Sequence, residues 1–328
     1  MVLNFETDKL IKELKKIKPK KVLVQLPEGV KQNAFKISKE IENLGIEVIF
    51  SGETCWGGCS LAIDEAKRLE ADLIVHFGHA KFIDVKFPVL YIEIKDELNL
   101  GALLEKSLKS LKEYNKLGLS LATQHKHELK KIIKFYENSG KKVFVSKKNG
   151  KAAYSGHVIG CEYSGLKAIE KDVDCFVIIG NKFHSMGASL SLNKPVFLID
   201  VYNDTIREMN EIKKKILKQR AMAIEKLKNA KRVEIIIETK IGQQFGVADF
   251  LIKKIKEKEK EAIVISMNEL SPEKLMNFYS VDCFVELGCP RIAIDDFSKY
   301  QKPIVTFKEA LVGLGEKTWE DLLKEGIL

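Results

Sequence analysis

Ala71-Asp72-Leu73-Ile74-Val75-His76-Phe77-Gly78 returns as Val173-Asp174-Cys175-Phe176-Val177-Ile178-Ile179-Gly180 and again as Val281-Asp282-Cys283-Phe284-Val285-Glu286-Leu287-Gly288. In each copy an Asp stands six positions before the closing Gly, and the copies are spaced by about 105 residues. The apolar run inside each copy has the length and β-branched content of a buried strand, and self-similarity at a fixed period marks a repeated structural unit. Working outward, Pro88, Pro195 and Pro303 each precede a further β-rich run, at 89–94, 196–201 and 304–307. Proline is tolerated at the first residue of a strand, so these positions read as strand starts.

Each unit also opens on a β-rich run, at 22–26, 119–122 and 233–237, followed by helical periodicity and a second short run at 47–50, 142–145 and 262–265. Strands alternating with helices specify βαβ units and a parallel sheet. The expectation is an α/β chain of three homologous domains in a pseudo-threefold arrangement. Each would be a small four-stranded parallel sheet flanked by helices, over residues 1–105, 106–215 and 216–328. Lys-rich helical linkers are expected near 95–116 and 202–231. The run Lys213-Lys214-Lys215 in the second linker reads as a solvated helix face.

Composition narrows the class. At 328 residues, with 45% hydrophobic and 31% charged residues, the chain has the make-up of a multi-domain globular protein. No N-terminal signal pattern and no run long enough to span a bilayer are seen, so a cytoplasmic protein without membrane contact is expected. The net charge of +9 favours acidic partners, protein or RNA, without choosing between them. Six cysteines in a chain of this length are too sparse for a disulfide framework, which leaves burial, metal binding or catalysis.

Register divides those cysteines. Cys175 and Cys283 follow the repeated Asp inside the apolar strand, where the first unit has Leu73, and read as packing residues. Cys59, Cys161 and Cys289 each follow a glycine, one in each third of the chain. Cys59 and Cys161 lie 13 residues before their Asp and ahead of a helical pattern, which suggests helix N-termini. Cys289 comes directly after Gly288, at the carboxyl end of the repeated strand. Sites in open parallel sheets form beyond the carboxyl ends of strands, so all three belong to one functional edge, with the preceding glycines admitting a bulky cofactor. Soft thiolates from separated segments hold zinc or an iron–sulfur cluster; three on a four-iron cluster leave one iron open for a substrate. Cys55 and Cys59 form Cys-Trp-Gly-Gly-Cys, but Ala62 stands where the C-x-x-x-C-x-x-C signature needs a third cysteine. No C-x-x-C zinc pair and no phosphate loop is present.

Several segments together resemble one family. They are Gln25-Leu26-Pro27-Glu28-Gly29, Gly52-Glu53-Thr54-Cys55-Trp56-Gly57-Gly58-Cys59, Gly180-Asn181-Lys182-Phe183-His184, Lys240-Ile241-Gly242-Gln243 and Gly288-Cys289-Pro290-Arg291-Ile292-Ala293-Ile294-Asp295-Asp296. The chain is similar over essentially its whole length to the archaeal 2-(3-amino-3-carboxypropyl)histidine synthases of the first step of diphthamide biosynthesis. The resemblance implies a homodimer in which Cys59, Cys161 and Cys289 hold a [4Fe-4S] cluster. It also implies that an external electron donor reduces the cluster, that S-adenosylmethionine is cleaved to methylthioadenosine and a 3-amino-3-carboxypropyl radical, and that the radical adds to C2 of a histidine of elongation factor 2.

That chemistry needs anchors for an amino acid carboxylate and an adenosyl group. Arg291 is the candidate carboxylate fork, with an ion pair to Asp295 or Asp296 as the competing use of the same guanidinium. Gln243, Gln25, Glu28 and Asp295 are further candidates for cofactor contacts. His79 and His184, just past strand ends, are candidate proton acceptors for restoring the aromatic ring. Two rival readings are a quinolinate-synthase-like dehydratase, which shares the three-domain, three-cysteine plan, and a non-catalytic iron–sulfur RNA-binding or sensor protein. No interleaved aromatic and basic motif supports a stable nucleic-acid partner.

Overall fold

The computed structural model describes residues 3–328. Three separate sheets carry the three repeats. The first contains β1 (Lys21–Gln25), β2 (Glu47–Phe50), β3 (Leu73–Phe77) and β4 (Val89–Ile92), in the order β2-β1-β3-β4 with every pairing parallel. The second contains β5 (Lys116–Leu121), β6 (Lys142–Phe144), β7 (Cys175–Gly180), β8 (Val196–Asp200) and β9 (Thr205–Glu208), in the order β9-β8-β7-β5-β6. The third contains β10 (Arg232–Glu238), β11 (Glu261–Met267), β12 (Cys283–Glu286) and β13 (Ile304–Thr306), in the order β11-β10-β12-β13, again parallel. The middle sheet departs from the four-stranded expectation, because β9 folds back antiparallel on β8 as a fifth strand. The chain makes that return in four residues, 201–204, too few for the crossover a parallel strand would require.

The repeated Asp has one role in all three lobes. One carboxylate oxygen of Asp72 accepts the backbone N–H groups of Lys20 and Lys21 at 2.7 and 3.0 Å. Asp174 does the same for Asn115 and Lys116 at 2.9 and 2.8 Å, and Asp282 for Lys231 and Arg232 at 2.9 Å each. Each clamp joins the start of the repeated strand to the start of its lobe's first strand. The accepted N–H bonds, above all those of Lys21, Lys116 and Arg232, hold the three carboxyls below their usual pKa range.

Both Lys-rich linkers contain a helix, although the second opens on β9. In the first (Gly101–Ser110), Leu103 and Leu104 pack into the second lobe's core with Leu117, Leu119 and Cys175. The second (Asn210–Asn229) spans two cores, with Ile216 and Ile224 in one and Leu227 in the next. Its Lys214 and Lys215 are exposed, while Lys213 donates to the Leu192 carbonyl at 2.6 Å. Arg220, in the middle of this helix, is 1% exposed and forks onto Glu309 at 2.7 and 2.6 Å. It also donates to the carbonyls of Ala293 and Ile304, which satisfies the buried charge. Cys175 and Cys283 are fully buried among the aliphatic side chains of the second and third lobes. Among the described residues, no helix is long and apolar enough to cross a membrane.

Candidate functional site

The loops leaving the carboxyl ends of the three sheets surround a cavity of about 880 Å³, and Cys59, Cys161 and Cys289 all line it. Cys59 lies in the loop after β2, Cys161 in the loop after β6, and Cys289 directly after β12. Only Cys289 sits at a helix N-terminus, as the cap of the short helix Pro290–Asp295. The sequence placed Cys59 and Cys161 at helix starts as well, but the following helices begin at Ile63 and Ser164, capped by Ala62 and Tyr163. The preceding glycines serve contact within the protein. A Cβ added at Gly58, Gly160 or Gly288 would lie 2.7 Å from the Ala80 carbonyl, 1.7 Å from the Phe183 ring and 2.2 Å from the Glu238 carboxylate respectively.

None of the three cysteines is in a disulfide, and each is only partly exposed. Burial, together with the neighbouring Cys59, pushes the Cys161 thiol up to about 12. Burial also raises Cys59, and raises Cys289 well above its usual range, with Cys161 and Cys59 adding to the Cys289 shift. Burial and the repulsion between neighbouring sulfurs both oppose ionisation of these thiols. A soft cationic centre overcomes both, because a coordinating thiol is deprotonated outright.

The lobes are tied together next to these cysteines. The Gly242 N–H donates to the Cys59 carbonyl at 3.0 Å, and a Cβ at 242 would approach the Cys59 Cα and carbonyl oxygen to 2.6 Å each. Gln243, 3% exposed, points Nε2 at the Cys59 Sγ at 3.5 Å, while its Oε1 is buried without a donor. On the other side, Arg291 reaches from the Cys289 helix into the second lobe. It donates through Nη1 to the carbonyls of Gly160 and Phe183 at 2.6 and 2.8 Å, and its guanidinium lies 3.8 Å from the Phe183 ring centre.

The remaining candidates divide into cavity walls and supports. Arg291 and Asp295 both line the cavity, but they are paired with each other, Nε to Oδ2 at 2.5 Å and Nη2 to Oδ1 at 2.9 Å. The fork expected for a substrate carboxylate is therefore occupied by Asp295, and Arg291 is a bridge between lobes. Gln25 and Glu28 stand outside the cavity lining. Gln25 instead donates to Ser60 O and accepts from Ala62 N, each at 3.0 Å, which fixes the turn after Cys59. Glu28 accepts the Cys55 N–H at 3.3 Å and pairs with Lys31 at 2.7 Å. The structure does not bring either residue to the cavity wall, and their partners come from the adjacent loop, which sequence spacing does not reveal.

His79 and His184 do line the cavity. Burial lowers His79 to about 4 and His184 to about 3, in the latter case with the Arg291 charge adding to the effect. The His184 ring is oriented by Nδ1 on Asn181 Oδ1 at 2.9 Å. Two cavity residues escaped the sequence reading. His157 receives the Ala153 N–H on Nδ1 at 3.2 Å, so its Nε2 carries the proton that meets Thr123 Oγ1 at 2.8 Å. Glu238 ends β10 and accepts the N–H groups of Cys289 and Leu270 at 3.3 and 3.1 Å. Its place at a strand's carboxyl end was the available signal.

Three lobes on largely parallel sheets, each presenting one cysteine to a shared cavity, define a three-lobed α/β protein with a common set of soft donors. A family model described as a diphthamide synthesis protein matches residues 26–323, and the chain belongs to that family. The 2-(3-amino-3-carboxypropyl)histidine synthase of Methanocaldococcus jannaschii is 32% identical, covering 94% of this chain and 89% of the relative. The protein of the same name from Pyrococcus horikoshii is 29% identical, covering 96% and 92%. The crystal structure of Dph2 from Pyrococcus horikoshii with a 4Fe-4S cluster superposes with a TM-score of 0.88 at 28% identity, covering 97% of this chain and 93% of that one.

Proposed function

We propose that this chain transfers the 3-amino-3-carboxypropyl group of S-adenosylmethionine to C2 of a histidine of elongation factor 2, the first step of diphthamide synthesis. The observation that carries this reading is the convergence of Cys59, Cys161 and Cys289 from three sheets on one cavity. Those three side chains would hold a [4Fe-4S] cluster, which would supply one-electron reduction of the sulfonium. The M. jannaschii and P. horikoshii names, and the cluster in the P. horikoshii structure, support the assignment.

The chain's own residues supply position and protection. Gln243 fixes Cys59 and presents a buried amide oxygen able to accept a hydrogen bond from a polar ligand. Arg291 holds the Cys161 loop against the Cys289 helix, so that the donors keep a common geometry. His184, neutral at physiological pH, has Nδ1 engaged by Asn181 and is our candidate for accepting the proton released when the target ring regains aromaticity. His79 is the second cavity-lining candidate for this role. The working form is a homodimer supplied by a separate electron donor.

The test is anaerobic reconstitution with iron and sulfide, then addition of a reductant, S-adenosylmethionine and elongation factor 2. Methylthioadenosine and an aminocarboxypropyl-modified histidine are the expected products. A fully loaded, reducible cluster that releases no methylthioadenosine would overturn the assignment and favour the dehydratase reading.

A further inference from the structure

A second group of soft donors lies beside the cavity, apart from the three cysteines that converge on it. One ligand atom each from Cys55, His76 and His79 lies within 4.8 Å of the others. Cys55 and His76 are buried, at 5% and 0% exposure, while His79 is partly exposed and lines the cavity wall. The position of every group is enforced by neighbours. Gln25 donates through Nε2 to Ser60 and accepts the Ala62 N–H on Oε1, which fixes its orientation. The same Oε1 lies 3.3 Å from His76 Nδ1 and can only accept from it, so His76 carries its proton on Nδ1 and offers a lone pair on Nε2. That Nε2 faces His79 Nδ1 at 3.1 Å. The Cys55 loop is held by Glu28 on the Cys55 amide and by Lys31 on the carbonyls of Gly52 and Glu53, at 3.0 Å each.

We propose that Cys55, His76 and His79 form a second metal site, which takes a zinc-type divalent ion through one thiolate and two imidazole nitrogens. A tetrahedral ion with bonds of about 2.0 to 2.3 Å requires its donors to lie about 3.3 to 3.6 Å apart. The two imidazole nitrogens stand 3.1 Å apart and need only a slight separation, and the sulfur, within 4.8 Å of both, closes with a side-chain adjustment of about 1 Å. Binding releases the Cys55 thiol proton, and the His79 proton moves to Nε2, so the site takes up the ion with loss of one proton and a loaded site leaves His184 as the cavity's proton acceptor. Gln25 and Glu28 act as the outer partners that orient the ligands. Two ligands are buried and the third borders the cavity, so the cavity is the side from which a further ligand can reach the ion. Three protein ligands and one open position are the pattern of a reactive ion rather than a purely structural one. The site does not depend on the transferase assignment and stands if that assignment fails.

The test uses the full-length chain with Cys59→Ala, Cys161→Ala and Cys289→Ala combined, so that the converging cysteines cannot compete for metal. Titrated anaerobically with Co²⁺ alone after chelator treatment, this protein is expected to bind one equivalent. The bound ion should show a tetrahedral visible spectrum and a near-ultraviolet thiolate band. Adding Cys55→Ser should abolish the band, and adding His79→Ala should weaken binding at least tenfold. No stoichiometric Co²⁺, or a thiolate band that survives Cys55→Ser, overturns the proposal. If the triple variant does not fold, elemental analysis of the cluster-loaded native chain after zinc loading decides. One zinc beyond the cluster iron supports the site, and none overturns it.

Discussion

The Arg291 guanidinium donates to the carbonyl of Gly160 at 2.6 Å, so the residue two places after Cys289 grips the residue one place before Cys161. A side chain that sequence spacing offers as a ligand fork is thereby a strut between two lobes. Arg291→Ala leaves Asp295 unpaired and two carbonyls short of a donor in a site where the arginine is 3% exposed. A loss of about 3 kcal/mol is expected. Arg291→Lys should recover little of it, because an ammonium cannot serve a carboxylate and two carbonyls in one plane. Denaturant unfolding and cluster iron content measure the two consequences.

Cys59→Ala, Cys161→Ala and Cys289→Ala should each impair cluster loading, read as iron and sulfide per chain and as visible absorbance. Cys175→Ala and Cys283→Ala should retain the cluster. Their cost is packing in fully buried strand positions, about 1 to 2 kcal/mol of stability. Equal iron loss in all five variants would contradict the division.

Gly242→Ala places a methyl group 2.6 Å from the Cys59 backbone in a contact that joins the third lobe to the first. Backbone must yield there, since no flexible side chain is in the way. We expect a folded protein with cluster occupancy or turnover reduced at least tenfold, because a displacement of about 1 Å at a reacting centre costs up to about a hundredfold. Wild-type turnover with a full cluster in this variant would show that the contact does not position Cys59.

The clamp aspartates Asp174 and Asp282 have folded pKa values depressed by backbone N–H donors. A group of this kind stabilises fully above its unfolded pKa, near 3.9, and loses its contribution as pH falls through the lower folded value. Asp174→Asn and Asp282→Asn should therefore lower the melting temperature at neutral pH and flatten its dependence on pH below about 4. An unchanged acid limb would remove the clamps from the account of stability.

His157 and His184 carry the opposite pH signature. Burial lowers them to about 4 and about 3, so their rings stay neutral in the folded chain from about pH 8 to about pH 5. The unfolded chain protonates them first, near pH 6.5, so the stability they contribute is present above that value and declines as pH falls towards the folded values. Ring resonances that titrate near pH 6.5 in the folded state would refute this.

Much of the architecture was legible because it depends on local pattern. Apolar runs bounded by Asp and Gly located β3, β7 and β12, and the prolines at 88, 195 and 303 located the last parallel strand of each sheet. The hairpin strand β9 was not legible, since Thr205–Glu208 is short, polar at all but Ile206 and defined by its pairing with β8. The meeting of the Gly-Cys positions was expected from the repeat, the strand-end rule and the family resemblance together. The work of Gln25, Glu28 and Arg291 did not follow, because each is defined by a backbone group 27 to 131 residues away. Glu238 was overlooked for a related reason, since a charged residue closing an apolar strand reads as a surface end until the Cys289 amide is found on it.

The three aspartate clamps stand at the pole of each sheet remote from the cavity. The clamp is thus a feature all three lobes keep at the strand starts, while the placing of the cysteine at the opposite end varies from lobe to lobe. Amino acid changes that remodel the reactive end leave the clamps untouched, which lets Cys289 occupy a position with no counterpart in its sister lobes while the threefold plan persists. Traces of common ancestry among such lobes should accordingly be sought where the strands begin, far from the sulfur atoms that first attract the eye.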